Sequence, residues 1–221
     1  MIRAGTLLFL LAAVNSLAAA APELIETPMF RDEVAAGKRP PVAQRIPDSP
    51  LVVAFDGKST VPGRHGGTLN MIIGRSRDVR MLVVYGYARL AGYDTRLQIV
   101  PDILESLEVR DGRSFTLKLR KGHRWSDGKP FTAEDFRYYW EDVANNAELS
   151  PTGPPRDLLV DGQPPKFEIL DELTVRYSWA KPNPDFLPRM AGASPLFIYR
   201  PAHYLKKYHK KYSAKVQEAE K

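Results

Sequence analysis

Thirty residues at 114–143, SFTLKLRKGHRWSDGKPFTAEDFRYYWEDV, impose the order strand, turn, capped helix and leave that part of the chain few other ways to fold. Phe115, Leu117 and Leu119 alternate with Ser114, Thr116, Lys118 and Arg120, the period of a strand with one buried face. Ser126, Asp127, Gly128 and Lys129 supply a turn, because short polar side chains bond nearby backbone and glycine accepts positive φ. Trp125 just before them offers an apolar anchor. Thr132 with Asp135 three residues on is a capping-box variant, in which the hydroxyl accepts from an orphan amide and the carboxylate sits at the positive helix end. Phe136, Trp140, Val143 and Ala144 then recur at three- and four-residue spacing. Tyr139 lies beside them, and Arg137, Glu141 and Asp142 are expected to face solvent.

Two hairpins flank this run. Asp111-Gly112 turns a strand that ends near Val109 into the one at Ser114. A second pair places Phe167 and Ile169 opposite Leu173, Val175, Tyr177 and Trp179 about Asp171-Glu172. Upstream, 51–55 and 68–73 read as short strands, and 79–90 is more helical than alternating, with Leu82, Val83, Tyr85 and Leu90 as core candidates. Residues 22–50 hold Pro22, Pro28, Pro40, Pro41, Pro47 and Pro50 and read as an extended arm.

The first twenty residues have the grammar of a cleavable export signal. Arg3 is the positive n-region, 7–14 is an unbroken apolar run, and Ala18-Ala19-Ala20 is the small-residue site, with cleavage expected after Ala20. The chain has no Cys, which excludes a thioether lipid anchor, disulfides and thiolate chemistry. The formal charge of +6 is local. Arg3 and the net five positive charges of 200–221 account for it, leaving 21–199 balanced. Tyr204, Leu205, Tyr208 and Tyr212 fall at helical spacing among those lysines, so the basic residues read as the solvated side of a terminal helix rather than as a nucleic-acid surface.

Residues 119–140 carry, in order, Leu119-Arg120-Lys121-Gly122, Trp125-Ser126-Asp127-Gly128, Pro130, Thr132-Ala133-Glu134-Asp135-Phe136 and an aromatic-rich helix. That order resembles the family 5 extracellular solute-binding proteins, the capture subunits of bacterial ABC importers. The likeness extends to His65-Gly66-Gly67-Thr68-Leu69, Tyr87 to Asp94, Pro101 to Val109 (Leu107 replacing a usual Trp), and Thr174-Val175-Arg176-Tyr177 with Pro182-Asn183-Pro184-Asp185-Phe186. It implies an α/β periplasmic-binding-protein-like fold of type II, represented here by the first lobe with its small inserted subdomain and without the second lobe. The expected division is 1–20 signal peptide, 21–64 proline-rich arm and 65–221 an incomplete family domain, the whole being a fragment with impaired binding. The implied role is capture of a peptide-like solute in the periplasm by a monomer and delivery to an inner-membrane ABC permease, with contact to the membrane only through that permease.

The resemblance also places the ligand contacts. Arg75, Ser76, Arg77, Asp78 and Val79 follow the opening strand, and such a loop borders the cleft in peptide-binding relatives. The two arginines would suit an acidic ligand or a terminal carboxylate. Thr152 and Gly153 lie in the loop after the amphipathic helix, where relatives often carry an aromatic. No catalytic constellation, metal site or cofactor is expected. His203 and His209 are six apart, the wrong spacing for a shared zinc, and Gly63, Gly66 and Gly67 precede a strand rather than a helix. A periplasmic hydrolase acting on peptides or cell-wall fragments is the alternative, and would need a nucleophile with a base beside it.

Overall fold

The computed structural model describes residues 23–68, 70–82, 88–192 and 196–219. The leader read at 1–20, and the core candidates Val83 and Tyr85, lie outside them. Short helices α1 (Arg31–Ala35) and α2 (Val42–Arg45) begin the described chain. β1 (Ala91–Tyr93) pairs antiparallel with β2 (Ile99–Pro101). β3 (Leu104–Arg110), β4 (Ser114–Leu119), β5 (Lys166–Asp171) and β6 (Thr174–Ser178) form an antiparallel sheet in the order β3-β4-β6-β5.

Both expected hairpins form. Asp111 and Gly112 hold φ of 54° and 62°, the paired positive values that match a two-residue turn to the twist of its strands. The register places Phe115 opposite Tyr177 and Leu117 opposite Val175, so alternation in β4 and β6 delivers one apolar face. Phe115, Leu117, Leu119, Val175 and Tyr177 are all buried. The edge strands are less covered, and Val109 and Ile169 remain exposed.

Two helices close that face. α3 (Ala133–Arg137) begins at the expected capping box, with Thr132 Oγ1 accepting from the Glu134 amide (3.3 Å) and Asp135 Oδ2 accepting from the Thr132 amide (3.0 Å). It continues as π-helical turns over Tyr138–Ala144, and Phe136, Tyr139, Trp140 and Ala144 meet the sheet. α4 (Phe186–Ala191) inserts Phe186 among Phe115, Tyr177 and Trp179 at centroid distances of 5.0, 5.4 and 5.0 Å. Each such ring stabilises the fold by about 1.5–3 kcal/mol through burial, with edge-on contacts adding to it. Ahead of α3, the Trp125 amide donates to the Lys129 carbonyl (2.8 Å) and Gly128 takes φ of 84°, closing the expected turn. Trp125 then packs edge-on to Phe131 and donates its Nε1–H to Asp135 Oδ2 (3.1 Å).

Four expectations are corrected. Residues 51–55, and 68 and 70–73, form no strand, Leu69 lying outside the described residues. No described strand pairs with them, and a lone extended segment has no ladder to hold it; Ile72 is fully exposed and Val52 and Val53 are 63% exposed. Within the proline-rich 22–50, the described residues 23–50 are not simply extended. α1 and α2 fold back, with Glu26 accepting from the Val42 amide and from Arg45 Nη2, and Arg39 stacking 4.1 Å over Phe30.

Asp142 does not face solvent. It is 3% exposed and accepts from Lys211 Nζ (2.7 Å), Arg137 Nη1 (3.0 Å) and Tyr212 Oη (2.6 Å). Finally, the terminal segment is not one helix. α5 (Ala202–Leu205) passes through a tight 3₁₀ turn, Lys206–Tyr208, before the chain reverses and enters α6 (Ala214–Ala219). Buried His209 causes the break, its Nδ1 accepting from the Lys211 amide (3.1 Å) while Nε2–H donates to the Asp142 carbonyl (2.9 Å). Lys206 and Lys211 consequently reach Glu134 and Asp142, Lys211 staying largely in solvent, and Tyr204 and Tyr208 are exposed.

Candidate functional site

The two loops singled out in the sequence are built differently. At 74–79 the chain is closed on itself, with Asp78 Oδ2 accepting from the Arg75 amide (3.1 Å) and the Asp78 amide donating to the Arg75 carbonyl (2.9 Å). This pair leads into a 3₁₀ run, Ser76–Leu82. The Asp78 carboxylate is therefore engaged locally, while Arg75, Ser76, Arg77 and Val79 are exposed. Neither arginine has a carboxylate within ion-pair distance among the described residues.

The loop after α3 is more firmly held. Ser150 donates its amide to the Asn146 carbonyl (2.7 Å) and its hydroxyl to the Val143 carbonyl (2.8 Å). Gly153 donates its amide to the Ser150 carbonyl (2.9 Å) at φ of 77°, a conformation that suits glycine. Thr152 and Gly153 thereby stand on the rim of a cleft of about 490 Å³ whose opposite wall is Tyr139 and Val143 of the helix. Arg75 to Val79 do not line this cleft.

Arg156 and Arg200 border the same cleft, and sequence reasoning missed both. Arg200 donates Nη1–H to the Tyr199 carbonyl (2.7 Å), and its guanidinium lies 5.0 Å over the Tyr139 ring. Burial pushes the Tyr139 hydroxyl above the usual phenol pKa, the nearby Arg200 charge pulling the other way. The only sequence signal for Arg156 was its place after Pro154-Pro155. Arg200 carried none, since 61 positions separate it from Tyr139 along the chain.

Chemistry elsewhere is limited. His203 Nε2 lies 2.7 Å from Asp127 Oδ2, and Asp127 is held below its usual pKa by the Lys129 amide first and by His203 second. No hydroxyl bonds His203 among the described residues, so this pair does not assemble a nucleophile with its base. Among the described residues no group of three or more His, Cys, Asp or Glu side chains is placed to hold a metal ion.

Comparison with known proteins gives a consistent set. The family described as bacterial extracellular solute-binding proteins, family 5 Middle, matches residues 98–219. The periplasmic alpha-galactoside-binding protein of Rhizobium meliloti (strain 1021) is 30% identical over 201 residues, covering 81% of this chain and 28% of that protein. Among solved structures, an oligopeptide-binding protein OppA superposes with a TM-score of 0.69 at 32% identity, covering 89% of this chain and 30% of that one. The periplasmic binding protein MelB of Agrobacterium fabrum C58, solved in complex with stachyose, superposes with a TM-score of 0.65 at 28% identity, covering 88% and 32%. The chain thus spans under a third of the length of each of these proteins, and all three are binding proteins.

Proposed function

Because the chain belongs to the family 5 extracellular solute-binding proteins, we propose that it builds one wall of an exported capture module that presents a small solute to an inner-membrane ABC permease. The observation that carries the reading is the cleft at 139–156, rimmed by a hydrogen-bonded loop and walled by the helix of the family's own signature. Arg75, Ser76, Arg77, Asp78 and Val79 are proposed as a second contact strip, supported by the exposure of all but Asp78 and by two arginines without an ion-pair partner among the described residues. Work of this kind involves no bond making. Enclosure by two lobes and desolvated polar contacts supply the affinity, and hinge closure supplies the signal to the permease.

A peptide-like solute is the first reading, supported by the superposition on an oligopeptide-binding protein. An oligosaccharide is the second, favoured by the alignment over most of the chain with an alpha-galactoside-binding protein. The 221-residue chain, isotopically labelled and titrated with trialanine and separately with stachyose, tests both. Amide shifts concentrated at 75–79 and 150–156, with affinity in the millimolar range, are expected, since one wall cannot enclose a ligand. Shifts confined to other segments, or micromolar binding by this chain alone, would overturn the reading. The ligand that produces shifts decides between peptide and sugar.

A further inference from the structure

We propose that the cleft between Arg156 and Arg200 is a carboxylate-binding site. The proposal names the chemical class received on the 150–153 side of the capture reading, on which it rests for its biological use but not for its test. The residues lining this cleft include two arginines and no acidic side chain. The acid nearest Arg156 in sequence is Asp157, and it is directed to Arg189 Nε at 3.3 Å. Two cations bordering one cavity without an anion repel each other, so a bound anion lowers the energy of the site.

Arg200 is positioned before any ligand arrives. Its face lies over Tyr139, and its Nη1–H is taken by the Tyr199 carbonyl. Nε and Nη2 have no protein acceptor among the described residues. A guanidinium fixed in plane and rotation, with donors left over, loses little entropy on meeting a planar carboxylate, which it can hold through two parallel bonds. Arg156 follows the φ-restricted Pro154-Pro155 pair and has no side-chain polar partner among the described residues. The remaining lining is mixed, with Tyr139, Val143, Leu149 and the prolines supplying apolar surface beside Ser150 and Thr152. The apolar part offers the organic body of a carboxylate a contact that a small inorganic anion lacks.

Benzoate and benzamide share a shape and differ in charge, so they are the probes for the 221-residue protein, followed by the amide signal of Gly153 and the Nε signals of the arginines. Benzoate should shift these signals saturably, with benzamide at least about tenfold weaker, the scale of a charge-assisted bond. Arg200→Gln should weaken benzoate about tenfold, Arg200→Lys should fall between because it keeps charge but not the planar fork, and Arg110→Gln should change nothing. Equal binding of benzoate and benzamide, inorganic phosphate binding as tightly as benzoate, or no saturable shift with benzoate would each overturn the proposal. Should Arg200→Gln fail to fold, exposed Arg156→Gln carries the test, with a loss of about threefold or more expected and unchanged affinity counting against the site. Failure of trialanine and stachyose to bind leaves the benzoate result standing, so the two readings fail separately.

Discussion

At the residue scale the most consequential group is Asp142, a carboxylate buried on the helix and reached by Lys211, Arg137 and Tyr212. Burial alone would raise its pKa; the three donors outweigh burial and hold it below the ordinary value. A depressed folded pKa contributes stability that is complete above the unfolded carboxylate value of about 4 and is lost as pH falls through the folded value. Asp142→Asn is therefore expected to lower stability near neutral pH by about 1–2 kcal/mol, a figure reduced because Lys211 is largely in solvent. It should also flatten the fall of Tm below about pH 4. Thermal melts of both proteins across that range check it, and identical slopes would show that Asp142 carries no linkage. Tyr177 presents the reverse case, a fully buried hydroxyl without a partner among the described residues. Removing an unmatched polar group while keeping the ring should be neutral or stabilising by up to about 1 kcal/mol, so Tyr177→Phe should melt no lower than the parent.

At the scale of elements, Asp135 does more than cap α3. Its Oδ2 receives the Thr132 amide and the Trp125 indole, and its Oδ1 receives the Ala202 amide (2.9 Å), so one carboxylate joins the signature turn, α3 and α5. Thr132→Ala removes only a cap and should cost about 1 kcal/mol. Asp135→Ala leaves three donors without their acceptor and should cost about 3 kcal/mol or more. Urea unfolding of the two variants separates these roles, and equal losses would mean that the link to α5 contributes nothing. The cap was legible from the Thr132–Asp135 spacing, because capping is local. The bond to Ala202 was not, since 67 positions lie between the partners.

Across the whole molecule, stability is unevenly distributed. Between 51 and 77 every described residue except Thr60 is exposed, whereas the sheet and its two helices bury a continuous aromatic core. Limited trypsin digestion should therefore cut at Lys58, Arg64, Arg75 or Arg77 before any bond within 104–178. Early cleavage inside β3 to β6 would contradict that order. Exposure of Arg75 and Arg77 makes the proposed contact strip accessible, and Met71, Ile72 and Ile73 beside it are exposed too, with no described strand pairing to them.

Sequence by itself determined what depends on near neighbours. The alternation of β4 and β6, the Asp111-Gly112 turn, the Ser126–Lys129 turn and the capping box all rest on interactions within a few residues, so composition and spacing encode them. Tertiary structure alone decided the rest. It broke the terminal segment at His209, turned Asp142 inward, left 51–55, 68 and 70–73 without a partner among the described strands, and set Arg200 over Tyr139 on the cleft that Arg156 also lines. Each of those outcomes depends on groups brought together from distant positions, where burial and unpaired charge, rather than local propensity, set the energy.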